Sequence, residues 1–85
     1  MPTATNFLDK YKAVRLDPLR GNPVAASEAF VSGEARECPE GALLLASDLE
    51  ENLDDCVKST GLPPGAIRRI IGDLRRVACR TIEAR

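Results

Sequence analysis

The amino-acid sequence predicts an all-α fold: one small bundle of four or five helices that turns a tight corner at Gly61. Three observations carry that prediction. Ile67, Ile70, Ile71, Leu74, Val77, Ala78, Thr81 and Ile82 recur at helical steps and share an arc of roughly 140°. No stretch shows the two-residue alternation of a half-buried strand. Prolines and glycines fall between the periodic segments, where they start and stop helices. No internal repeat or long linker divides the chain, so residues 1–85 read as a single domain.

Taken in order, Thr5 or Asn6 is placed to cap a first helix whose Phe7, Leu8, Tyr11 and Val14 share one face. That helix stops before Pro18. The stretch "DPLRGNP", residues 17–23, reads as a loop, because proline, glycine and asparagine each disfavour continued helix. Asn22-Pro23 starts a short helix over 23–32 that Gly33 ends. Cys38-Pro39-Glu40 opens the next helix, with proline in the first turn and an acid near the positive end of the helix dipole. Leu45, Leu49, Leu53 and Cys56 form its apolar stripe, which Leu44 and Val57 widen. Asn52 can cap a new helix within this segment, so 39–60 reads either as one helix or as two. Gly61 suits the left-handed position after a helix end, with Leu62 folding back, and Pro63-Pro64 begins the last helix. Gly72, off the apolar arc, suggests a close neighbour or a groove.

Composition narrows the function classes. At 44% hydrophobic and 29% charged, the chain has the balance of a folded domain, and a core of this size cannot enclose a large cavity. A binding site is therefore expected on the surface. The net charge of −1 conceals an uneven layout: residues 38–57 carry six acids and no base, whereas residues 58–85 carry seven bases and two acids. Such a division suits an anionic partner for the last third, or two oppositely charged helices lying side by side.

Catalysis is not expected. There is no histidine, no glycine-rich phosphate loop, and no nucleophile with a positioned base. No cofactor or metal is implied. Cys38, Cys56 and Cys79 lack metal-ligand spacing and read as reduced thiols packed as small hydrophobes, Cys79 being partly exposed. Glu50, Glu51, Asp54 and Asp55 lack the loop of a calcium site and read as a solvated helix face. No signal peptide or membrane-spanning run is apparent, so a cytoplasmic protein without membrane contact is expected.

The most patterned stretch is "LDDCVKSTGLPPGAIRRIIGDL", residues 53–74. Two helices meeting steeply need a turn residue tolerant of positive φ, here Gly61. They also need apolar residues that lock the pair, here Leu53, Cys56, Leu62, Ile67 and Ile70. The stretch resembles the helix-turn-helix of the IclR family of bacterial transcriptional regulators. Leu53, Asp55, Cys56, Thr60, Gly61, Leu62, Pro63, Ile67, Arg69, Ile70, Ile71 and Leu74 fall in register with that family's pattern. The match covers 22 of the 85 residues. The sequence departs from the family at Val57, where alanine is usual, and at Pro64-Gly65, where polar residues usually face the bases. Beyond Leu74 the family turns into a two-stranded wing, whereas "RRVACRTIEAR" keeps a helical pattern.

The resemblance implies a DNA-binding regulator in a bacterial cytoplasm. Pro64, Gly65 and Arg68 would face base edges, and Lys58, Ser59, Arg69, Arg75 and Arg76 would hold phosphates. One short recognition helix reads little sequence, so a homodimer on duplex DNA is expected. Negative charge at Glu50, Glu51, Asp54 and Asp55, close to where DNA would lie, favours an alternative. In it the same shape is a helical protein-interaction module, such as an anti-activator, adaptor or inhibitor, that docks on a partner protein and binds no DNA.

Overall fold

A computed structural model of the chain describes residues 3–16 and 22–85. Within them lie five helices and no strand: α1 (Thr3–Leu16), α2 (Pro23–Glu37), α3 (Pro39–Glu51), α4 (Leu53–Thr60) and α5 (Pro64–Glu83). The expected all-α bundle is what forms.

The amphipathic last helix organises the rest. α5 buries Ile67, Ile70, Ile71, Leu74, Val77 and Ala78 against α3 on one side and α2 on the other. α3 runs antiparallel to it, since Glu50 meets Arg75 and Glu40 meets Arg85. α1 covers α2, where the rings of Phe7 and Phe30 stack with centroids 5.3 Å apart. The short α4 bridges α1 and α5 at the edge of the core. The apolar arc closes earlier than its periodicity suggests: Thr81 is half-buried and Ile82 is 37% exposed.

The helix starts fall where proline permits. Pro23, Pro39 and Pro64 each occupy a first helical position, where a missing N–H costs nothing. Asn22 caps α2, its Oδ1 accepting from the N–H of Ala25 at 3.3 Å. The loop expected over 17–23 otherwise falls on residues outside those described.

Two boundaries differ from expectation, and a third, open between two readings, is settled. α1 begins at Thr3 rather than at a Thr5 or Asn6 cap, because nothing between Thr3 and Phe7 opposes helix. α2 runs through Gly33 to Glu37. The glycine costs about 1 kcal/mol of propensity, but stopping there would forfeit Ala35, which is fully buried one turn beyond Val31. The segment 39–60 is two helices, and Asn52 (φ −114°, ψ 29°) is the joint. Its Nδ2 donates to the Asp48 carbonyl at 3.0 Å, so the side chain closes α3 rather than capping α4.

Other side chains also depart from expectation. Leu44 is 74% exposed instead of widening the apolar stripe, while Val57 does pack partly against the core. A Cβ on Gly72 would meet nothing within 4 Å, so no close neighbour explains that glycine. Of the three thiols, Cys56 is buried as a small hydrophobe, but Cys38 and Cys79 are exposed.

Candidate nucleic-acid interface

The corner between α4 and α5 forms as the spacing requires. Gly61 takes the left-handed conformation (φ 74°, ψ 6°) and its N–H donates to the Val57 carbonyl at 2.9 Å. Leu62 folds into the core. Buried Thr60 fastens both sides of the turn: its hydroxyl donates to the Cys56 carbonyl at 2.6 Å and accepts from the Leu62 N–H at 3.3 Å. α3, α4 and α5 are thus three separate helices, where an unbroken 39–60 helix would have left two.

The eight residues expected to contact nucleic acid divide into two groups. Lys58 and Ser59, in the last turn of α4, lie exposed beside the corner, and Pro64, Gly65, Arg68 and Arg69 occupy the exposed face of the first turns of α5. Arg75 and Arg76 lie about 10 Å further along the helix than Arg68 and Arg69.

The first turn of α5 has an open donor. Pro63 precedes the helix and offers no side-chain cap, while the N–H groups of Ala66 and Ile67 both point to its carbonyl, at 3.0 and 3.3 Å. The Gly65 N–H has no backbone acceptor, and the space where its Cβ would lie is empty.

The arginines are not equally available. Arg69 pairs with Glu28 of α2 at 3.1 Å, Arg75 with Glu50 of α3 at 2.8 Å, and Arg76 with Asp73 one turn back at 3.1 Å. Arg68 and Lys58 pair with no acid among the described residues. Exposed pairs of this kind each contribute up to about 1 kcal/mol and exchange readily for another anion. The Arg69 and Arg75 pairs link the basic face of α5 to α2 and α3, whereas the Arg76 pair lies within α5.

The expected acidic patch is present at the α3–α4 joint, where Glu50, Glu51, Asp54 and Asp55 surround a shallow depression. Asp54 and Asp55 lie in the first turn of α4 and complement its dipole. Among the described residues no group of three His, Cys, Asp or Glu side chains is placed to hold a metal, and no helix is long and apolar enough to cross a membrane.

The neighbours of the corner include residues that sequence reasoning did not single out. The Lys12 ammonium donates to the Thr60 carbonyl at 2.6 Å. Tyr11, Arg15 and Glu28 border the N-terminal end of α5. Spacing marks Tyr11 only as part of the apolar face of α1, and it marks Lys12, Arg15 and Glu28 not at all, because they lie far in sequence from the corner. No protein-family model matches the chain, and neither a curated protein nor a solved structure matches it.

Proposed function

We propose that the chain is a small transcriptional regulator of a bacterial cytoplasm, of the helix-turn-helix kind that its residues 53–74 resemble, which docks the N-terminal end of α5 on duplex DNA as a homodimer. The observation that carries this reading is Arg68: exposed and unpaired among the described residues, it projects from the second turn of α5 beside a properly formed corner. An arginine there suits guanine in the major groove. Lys58, Ser59 and the open Gly65 N–H suit the flanking phosphates. Arg69, Arg75 and Arg76 add phosphate contacts by exchanging their exposed carboxylate partners.

The test is a salt titration of the purified protein with duplex DNA. Affinity should appear at low ionic strength and fall linearly in log–log form as salt is raised. Joint replacement of Arg68 and Arg69 by alanine should abolish binding while leaving the helical content intact. DNA binding that survives this change would refute the site assignment.

A second reading draws on the internal pairing of Arg69 and Arg75 and on Leu44, a large apolar side chain 74% exposed on the outer face of α3. Both suit a helical module that docks on a partner protein and binds no DNA. Absence of any salt-dependent affinity for duplex DNA selects this reading, since even non-specific binding is visible at low salt.

A further inference from the structure

We infer that the cleft between α1, α2 and the N-terminal end of α5 is a binding site for a small organic monocarboxylate. The cleft holds about 230 Å³ and is bordered by Tyr11 and Arg15 from α1, Glu28 from α2, and Gly65, Arg69 and Asp73 from α5.

Tyr11 supplies the first argument. Its side chain is buried to within 8% exposure, yet among the described residues none hydrogen-bonds its hydroxyl. No sealed side-chain polar atom lacks a partner, so this hydroxyl is open, and Tyr11 lines the cleft. An open phenol O–H at the wall of a cleft is free to donate to a ligand in place of water.

The remaining groups fix the sign of that partner. Arg15 lies one helical turn from Tyr11 on the same face of α1 and pairs with no acid among the described residues. The Gly65 N–H is open at the positive end of a 20-residue helix. The two acids at the cleft already have partners: Glu28 accepts from Arg69 and Asp73 from Arg76. Ser27, which also lines the cleft, is already engaged, and the groups left to meet a ligand are a phenol, a guanidinium and a backbone N–H, each able to donate, with one unneutralised positive charge. That set matches a single carboxylate. The floor is apolar, formed by Val31 and Ile70, which suits an organic body rather than a bare inorganic ion, and the volume limits that body to a small one.

The site shares Gly65 and Arg69 with the end of α5 assigned to DNA. A bound carboxylate would therefore occupy the reading end of that helix, a regulatory consequence that rests on the DNA reading, whereas the binding site itself does not.

The experiment is an NMR amide-shift titration of the whole chain, without DNA, using benzoate and hexanoate as probes, and benzamide and inorganic phosphate as controls. Both carboxylates should give saturable shifts at Gly65, Ala66 and the α1 amides around Tyr11 and Arg15, with benzamide silent and phosphate weaker. Arg15→Met should weaken benzoate about tenfold and Tyr11→Phe about fivefold, the losses expected for a charge-assisted and a neutral hydrogen bond. Tyr11→Phe is near-isosteric and Arg15→Met keeps an unbranched, largely aliphatic stem, and retained shifts elsewhere verify the fold. The proposal is overturned if neither carboxylate shifts these amides, if benzamide or phosphate equals benzoate, or if Arg15→Met binds benzoate unchanged. None of these outcomes bears on DNA binding, which the salt titration decides separately.

Discussion

Lys12 and Thr60, 48 positions apart in the chain, are joined by a hydrogen bond from the Lys12 ammonium to the Thr60 carbonyl at 2.6 Å. The acceptor is one of the last carbonyls of α4, which that helix cannot satisfy internally, and a cation there also meets the negative end of the helix dipole. α1 thereby caps the helix that leads into the Gly61 corner, and the position of the corner depends on a residue outside α4 and α5.

Replacing Lys12 by methionine keeps the aliphatic stem and removes the donor. Stability should fall by about 1–2 kcal/mol, as expected for a partly buried charged hydrogen bond, and Lys12→Arg should recover part of the loss. Chemical denaturation of the three proteins measures this. Amide exchange near Thr60 should quicken in Lys12→Met more than exchange in α5.

The Gly61 substitutions separate backbone strain from crowding. A Cβ there would meet nothing within 4 Å, so any cost comes from the positive φ alone. Gly61→Ala should destabilise by about 1–2 kcal/mol. Gly61→Asn should cost less, because asparagine tolerates the left-handed region. Equal losses in thermal denaturation would contradict this account.

Acid should open the pair that ties α3 to the end of α5. The hydrogen bond from Arg85 holds the Glu40 carboxyl below its ordinary value of 4.5, with a smaller contribution from a backbone hydrogen bond. Because the folded value is the depressed one, the stabilisation is fully present above 4.5 and is lost as pH falls through the Glu40 midpoint. Carbon-detected NMR should give a Glu40 midpoint under 4.5 in the native protein. In Arg85→Ala the midpoint should rise toward the ordinary value.

Thiol labelling should distinguish the cysteines. Cys38 and Cys79 are exposed, while burial pushes the Cys56 thiol up, with Asp55 and Asp48 adding to the shift. In the native protein iodoacetamide should modify two sites quickly. Cys56 should react only as fast as the chain opens, and mass spectrometry of timed digests will show the order.

Where a single residue decides the local structure, the sequence was legible. Pro39 and Pro64 mark helix starts because proline is tolerated in few other helical positions, and Gly61 marks the corner because its φ excludes most residues. α5 was legible because its six buried residues repeat along one helix face. The end of α2 was not, since the burial of Ala35 that carries the helix past Gly33 depends on neighbours distant in sequence. The eight expected contact residues lie at the surface, but their partners were hidden: Glu28 is 41 residues from Arg69 and Glu50 is 25 from Arg75. The carboxylate cleft was hidden for the same reason, being assembled from three helices with no shared motif.

The central place of α5 also has a consequence for synthesis. α2 and α3 each make their most extensive packing contact with this helix, so both lack that cover until residues 64–78 are available. Val31, Ala42, Leu45 and Leu49 share one buried cluster with α5, and without that helix the cluster is incomplete. A chain stopped before Pro64 should therefore expose apolar surface and aggregate more readily than the full one.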